Sequence, residues 1–274
     1  MYFENLQREL FERKLKMGEY FKRAFEVLKV FMKKNVLWVM FFIMVNAGWL
    51  FLGVINSMFM LKISIFEYIG IFTIRQALIP IFVNIFSAVV ITKVAKKIEN
   101  DEENCKFKNI FFKFVKYTAI YVSVTFILGF VGDNVIFKTG NNQILMIILS
   151  VISGITSFLW LIIVLNALYF VQTYYTKDMK IMDALKYNLK LSKGNRLRIL
   201  IPIIILGFME ARIMVPFFNG FFVSHNVPLP VVCGISIFSG IILSCIRSFA
   251  TVMEVIIFFN VEYDYLKKQN KNLK

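Results

Sequence analysis

Read along the chain, apolar residues gather into six long runs separated by short charged stretches, at roughly 36–60, 69–91, 117–137, 144–171, 199–222 and 231–259. About 20 apolar residues in a helix, rising 1.5 Å each, are needed to cross about 30 Å of hydrocarbon. Each run therefore predicts a transmembrane helix. The first, second, fourth and sixth carry few or no charges over their middles, and the third carries Asp133 near its end. The fifth opens with Ile199-Leu200-Ile201-Pro202 and is interrupted by Glu210-Ala211-Arg212. Pro202 is expected in the first turn, where its missing N–H costs little.

Ahead of the first run the pattern changes. Phe3, Leu6, Leu10, Met17, Phe21, Phe25, Leu28 and Phe31 recur at spacings near three and four, with Lys, Arg and Glu between them. That periodicity predicts an amphipathic helix, divided at Gly18, where an interior glycine costs about 1 kcal/mol. Its apolar stripe suits either the inner membrane surface or a docking face for a partner or a second copy.

Composition and charge sharpen this picture. Of 274 residues, 58% are hydrophobic and 18% charged, with 32 Lys+Arg against 17 Asp+Glu and a net charge of +15. A soluble domain is richer in charge and poorer in apolar residues. The basic residues are not scattered: nine lie in 1–35, seven in 92–116, seven in 172–198 and four in 260–274, while the alternate loops hold only Lys62 and Lys138. By the positive-inside rule both termini and the loops after runs 2 and 4 are cytoplasmic. Trp38, Tyr117, Tyr121, Tyr169, Tyr174, Tyr175 and Tyr263 fall at the same inner ends, as an interfacial aromatic belt does. The charge is thus an orientation signal with affinity for anionic lipid headgroups. A nucleic-acid interface, which needs basic residues interleaved with stacking aromatics on a soluble module, is not expected.

The expected fold is an all-α polytopic membrane helix bundle: six transmembrane helices as three hairpins, with cytoplasmic interfacial amphipathic helices. It divides into an amphipathic segment (1–35), a six-helix transmembrane domain (36–260) and a basic cytoplasmic tail (261–274). Internal repetition supports the hairpin unit. Phe107-Lys108-Asn109-Ile110-Phe111-Phe112-Lys113 leads into a run containing Ile127-Leu128-Gly129-Phe130, and Leu185-Lys186-Tyr187-Asn188-Leu189-Lys190 leads into one containing Ile205-Leu206-Gly207-Phe208. A third copy starts near Glu19-Tyr20-Phe21-Lys22. Each unit reads as an interfacial helix followed by a hairpin. The densely charged first 35 residues argue against a cleavable signal peptide and for an internal signal-anchor at Val36.

The segment Asp183-Ala184-Leu185-Lys186, followed by Leu191-Ser192-Lys193-Gly194-Asn195, a basic pair and a span, resembles a leader in bacterial six-span membrane proteins. That group is similar to the membrane-anchoring domain of some glycerophosphodiester phosphodiesterases. The likeness covers residues 170–225 in detail and the remainder by topology. It implies a bacterial integral membrane protein with interfacial helices, and it carries over no catalytic residue, because the catalytic domain of those enzymes is separate; the expected location is the bacterial plasma membrane.

Enzyme signatures are sparse. Cys105, Cys233 and Cys245 show no CxxC spacing, which argues against a disulfide framework or zinc ribbon. His225 is the single histidine, too little for a His-based metal site or dyad. Gly132-Asp133 has no second intramembrane aspartate to share a proton, and no phosphate-binding GxxxxGK[ST] loop occurs. The acidic run 99–104 lacks the spaced oxygens of a calcium loop. No enzyme activity and no cofactor are expected.

The candidate chemistry is therefore the set of charges inside the runs, where an unpaired charge costs about 2.5–3.5 kcal/mol. Glu210 and Arg247 fall at matching depth, as do Arg75 and Asp133 near the outer face. Arg212 and Glu254 have no obvious partner, and residues 210 and 212 point to different faces of one helix. Two readings are open. One is a structural clamp with snorkelling of the marginal groups. The other is a polar translocation path lined by Glu210, Arg212 and Arg247, with the fifth run a broken helix ending at Pro216. At the level of function, the first reading is a transporter, or a component of one, for a small solute or lipid. The alternative is a non-catalytic scaffold, anchor or regulator that binds lipid headgroups or a partner protein through its amphipathic helices, alone or as a homo-oligomer.

Overall fold

The computed structural model describes residues 2–59, 79–100, 111–124, 143–177 and 179–272. Every regular element among them is helical. They are α1 (Tyr2–Glu12), α2 (Met17–Lys34), α3 (Val36–Phe59), α4 (Ile79–Glu99), α5 (111–124), α6 (Gln143–Asn166), α7 (Phe170–Thr176), α8 (Ile181–Ser192), α9 (Arg196–Phe218), α10 (Phe221–Ser224) and α11 (Leu229–Asn272).

Three of the described helices are long and apolar enough to cross a membrane: Val36–Ile55, Arg196–Phe218 and Leu229–Asn270. They match the first, fifth and sixth runs. The fourth run forms α6, 24 residues without a charged side chain. The second and third runs lie partly outside the described residues, as does the first Ile-Leu-Gly-Phe tetrapeptide.

What sets this fold apart from a soluble bundle is the direction its apolar surface faces. Between Ile147 and Val164 every described side chain of α6 is exposed. Val36, Leu37, Met40 and Met44 of α3, Leu197, Ile204 and Phe208 of α9, and Val231, Ile237 and Phe238 of α11 are exposed as well. A helix that is apolar all round is compatible with an apolar surrounding such as a membrane interior.

The conventional core lies elsewhere, around the second half of α11. At 44 residues this helix is about 66 Å long, roughly twice the hydrocarbon thickness. Val255, Ile256, Ile257, Phe258 and Phe259 are fully buried, beneath α1, α2, α4, α7 and α8. The basic tail expected from residue 261 is the last part of this same helix, through Asn272.

The N-terminal amphipathic stretch is indeed helical, but it breaks at Arg13–Lys16, and Gly18 is the second residue of α2. Near a helix start glycine carries little penalty, so the break is set by something else. Glu19 closes the first turn of α2 by accepting the Lys16 N–H at 2.7 Å. Buried Asn260 of α11 then gathers the turn: its amide donates to the carbonyls of Leu10 and Arg13, both at 2.8 Å, and its oxygen accepts the Leu15 N–H at 3.2 Å and the Tyr20 hydroxyl at 2.6 Å. Leu6 and Leu10 of α1 and Tyr20, Ala24, Val27, Leu28 and Phe31 of α2 are buried. Most of the apolar stripe is thus covered by the chain's own α11 and neighbouring helices, while Phe25 stays exposed.

Two close approaches set the packing of the apolar helices. A Cβ on Gly240 of α11 would lie 2.7 Å from Ala47 Cβ and 2.8 Å from its Cα, so α3 and α11 touch nearly backbone to backbone, as small residues permit in lipid. Phe42 and Phe86 stack with ring centroids 3.8 Å apart, joining α3 to α4. In α9, which starts at Arg196, Pro202 falls in the second turn rather than the first, and the helix runs through both Pro202 and Pro216 to Phe218 without a break.

Candidate functional site

Two polar features lie among the apolar helices. The first joins Glu210 of α9 to Arg247 of α11, with Nε 3.2 Å from Oε2. The same guanidinium donates to Asn46 Oδ1 of α3 at 2.6 Å and lies 4.6 Å from the Trp49 ring centroid. Asn46 in turn donates to Ser244 Oγ and to the Phe42 carbonyl, both at 2.9 Å. One guanidinium thereby ties together the three apolar helices, its planar fork serving two acceptors while its face covers an aromatic ring. The side chains of Arg247 and Glu210 retain only 15% and 21% exposure.

The other candidates separate. Arg212 is exposed and makes no ion pair among the described residues, on a different face of α9 from Glu210. Arg75 and Asp133 lie outside the described residues. Glu254 sits seven residues beyond Arg247, about 10 Å further along α11, and its Oε2 accepts the Gln172 side-chain amide at 2.7 Å.

Glu254 and Gln172 belong to the second feature, a cleft of about 460 Å³ between α5, α6, α7, α8, α9 and α11. This is within the usual range for small-molecule sites. Its walls are mainly aliphatic and aromatic, with Ile120, Ile163, Leu168 and Ile203 alongside Tyr117 and Tyr121. Glu210, Arg212 and Arg247 do not line it.

The cleft exists because the chain bends between α6 and α7. The bend leaves backbone groups unpaired, and Asn188 of α8 supplies their partners: its Oδ1 accepts the Tyr169 N–H at 2.8 Å and its Nδ2 donates to the Asn166 carbonyl at 2.5 Å. The Tyr169 hydroxyl donates to the Asn195 carbonyl at 2.8 Å, and Arg196 donates to Asn166 Oδ1 at 2.9 Å. Satisfying the bend in this way turns Leu168, Val171 and Gln172 towards the cavity. Sequence reasoning missed Gln172 and the positioning role of Asn188. The signal for Gln172 was a lone amide just past the end of an apolar run.

At the basic end of α11 a third polar group has a structural character. Lys177 Nζ lies 2.8 Å from Glu99 and 3.0 Å from Glu262, and Glu262 also accepts the Tyr187 hydroxyl at 2.9 Å. Burial alone lowers the pKa of the Lys177 ammonium, but the carboxylates of Glu262 and Glu99 more than offset this and hold it above the ordinary lysine value. The lysine is therefore a fixed cation that ties the end of α7 to α4 and α11. Among the described residues no group of three His, Cys, Asp or Glu side chains is placed to hold a metal ion.

No family model, no curated protein and no solved structure matches this chain.

Proposed function

We propose that this chain is a multi-pass protein of a bacterial plasma membrane, with six spans and both termini cytoplasmic, that binds and hands on a lipid-like amphiphile, as a transporter or a component of one. The observation that carries this reading is the cleft: a largely apolar cavity of about 460 Å³, bounded by two apolar helices long enough to span and holding polar groups of Glu254 and Gln172 in its wall. An amphiphile has the matching division into a greasy body and a polar end. The charge alternation supports the orientation, and anionic headgroups at the cytoplasmic surface are its natural lipid contacts. Glu210 and Arg247 enter this reading as a clamp, because they bind each other, Arg247 also binds Asn46, and neither lines the cleft.

A second reading, a non-catalytic anchor or scaffold, draws on α8. Met182 and Leu189 are exposed there beside Lys186 and Lys190, the pattern of a helix resting on a membrane surface. The resemblance of residues 183–195 to a membrane-anchoring domain fits the same idea. Under it, the cleft holds bulk lipid without preference.

Photocrosslinking separates the two. The chain is reconstituted with a phospholipid carrying a diazirine in its acyl tail, irradiated, and its adducts mapped. Adducts concentrated on residues 117–124 and 163–174, and sharply reduced by Ile203→Trp while those on the exposed face of α6 stay constant, are the expected result. Adducts distributed over the cleft and the α6 face alike, and indifferent to Ile203→Trp, would leave the scaffold reading in possession.

A further inference from the structure

The polar groups of the cleft have a common sign. Gln172 is 2% exposed, and while its Nε2 donates to Glu254, its Oε1 is buried without a hydrogen-bond partner. A buried acceptor left unpaired costs about 1–3 kcal/mol, and this oxygen adds to the negative potential beside Glu254. Glu254 accepts the Gln172 amide through Oε2, and no cation pairs with it among the described residues. The neighbouring carboxylates differ: Glu210 has Arg247 at 3.2 Å and Glu262 has Lys177 at 3.0 Å. Among the described residues no lysine or arginine lines the cleft, whereas Tyr117, Tyr121, Phe170 and Tyr174 present aromatic rings to it. Ring faces carry negative potential and attract cations. The Tyr174 ring already has one such neighbour, Lys113, whose Nζ lies 5.7 Å from the centroid and donates to the Lys177 carbonyl.

Resting on the reading of the cleft as a ligand site, we infer that its ligand is a cationic amphiphile with an ammonium head. The head pairs with Glu254, whose carboxylate the Gln172 amide holds in place, and the alkyl body lies along Ile120, Ile163, Leu168 and Ile203. The cation and the carboxylate supply each other's missing counter-charge among mainly apolar walls, where each is costly alone. An anionic amphiphile would bring a like charge to Glu254, and a neutral one would leave it unpaired.

The test compares three radiolabelled probes with the same twelve-carbon chain, dodecylammonium, dodecanol and dodecanoate, binding to the full chain in nanodiscs of uncharged lipid. Dodecylammonium is expected to bind saturably and about tenfold more tightly than the other two, the scale of one desolvated cation–π or ion-pair contact. Glu254→Gln is expected to bring the ratio of dodecylammonium to dodecanol affinity down about tenfold, to near unity. Saturable binding of all three without preference for the ammonium would overturn the cationic assignment and leave the cleft reading intact. A preference that persists in Glu254→Gln would overturn Glu254 as the counter-ion. Absence of saturable binding by any probe would remove the cleft reading itself. The wild-type comparison is decisive even if the variant does not fold, and Gln172→Leu supplies a second variant with weakened ammonium binding as its expected outcome.

Discussion

A single residue, Arg247, shows how a charge persists among apolar helices. Its guanidinium meets Glu210, Asn46 and the Trp49 ring at once, so little of it is left for water or lipid. Removing one partner of a fully buried ion pair costs about 3–5 kcal/mol, and the residual exposure of this pair places it below that range. Arg247→Met is expected to lower the thermal unfolding midpoint in detergent clearly more than Glu210→Gln does, because the latter keeps a hydrogen-bonding side chain and leaves the Asn46 and Trp49 contacts in place. The reverse order would show that the carboxylate, not the guanidinium, organises the clamp. The pairing of Glu210 with Arg247 was legible from depth along two apolar runs. Glu254 was legible as a buried charge, but its neighbour Gln172 was not, because depth carries no azimuth and a tertiary bend brings the two together.

At the level of elements, the N-terminal hairpin shows where sequence periodicity stops being informative. The spacing of apolar residues revealed amphipathic helix on both sides of the break. It did not locate the break, since the turn is fixed by Asn260, 245 residues away from Leu15. Four hydrogen bonds converge on that one amide side chain, and the turn it secures contains Arg13, Lys14 and Lys16, three trypsin sites. Asn260→Leu is expected to accelerate tryptic cleavage there while the rest of the chain remains resistant. Unchanged cleavage would mean that the packing of Leu6, Leu10 and Tyr20 holds the hairpin unaided. Lys267 reinforces the same contact from further along α11 by donating to the Phe11 carbonyl.

Across the whole molecule, apolar surface faces outwards over one part and inwards over the other. The outward part was legible from run length alone, and three of the described helices meet the requirement for crossing a membrane. The inward part was not, because the residues around Phe258 and Phe259 read as the end of a span while the structure covers them with α1, α2, α4, α7 and α8. The two parts depend on how closely α3 approaches α11. Gly240→Val is expected to destabilise the fold by about 1–3 kcal/mol, the usual cost of overpacking, as measured by the unfolding midpoint. Gly234→Val, on the same helix with nothing within 4 Å of its added Cβ, is expected to leave it nearly unchanged. Equal effects at both positions would show helix propensity to be the cause.

The long last helix also imposes an order of events in time. Ribosomes add about 5–20 residues per second, and Tyr20 precedes its partner Asn260 by 240 positions, so about 10–50 s separate the synthesis of the two. Throughout that interval the apolar stripe of α1 and α2 lacks the part of its cover that α11 supplies, and only earlier helices such as α4 can pack on it. The first helices made can complete their packing only once the last has been synthesised.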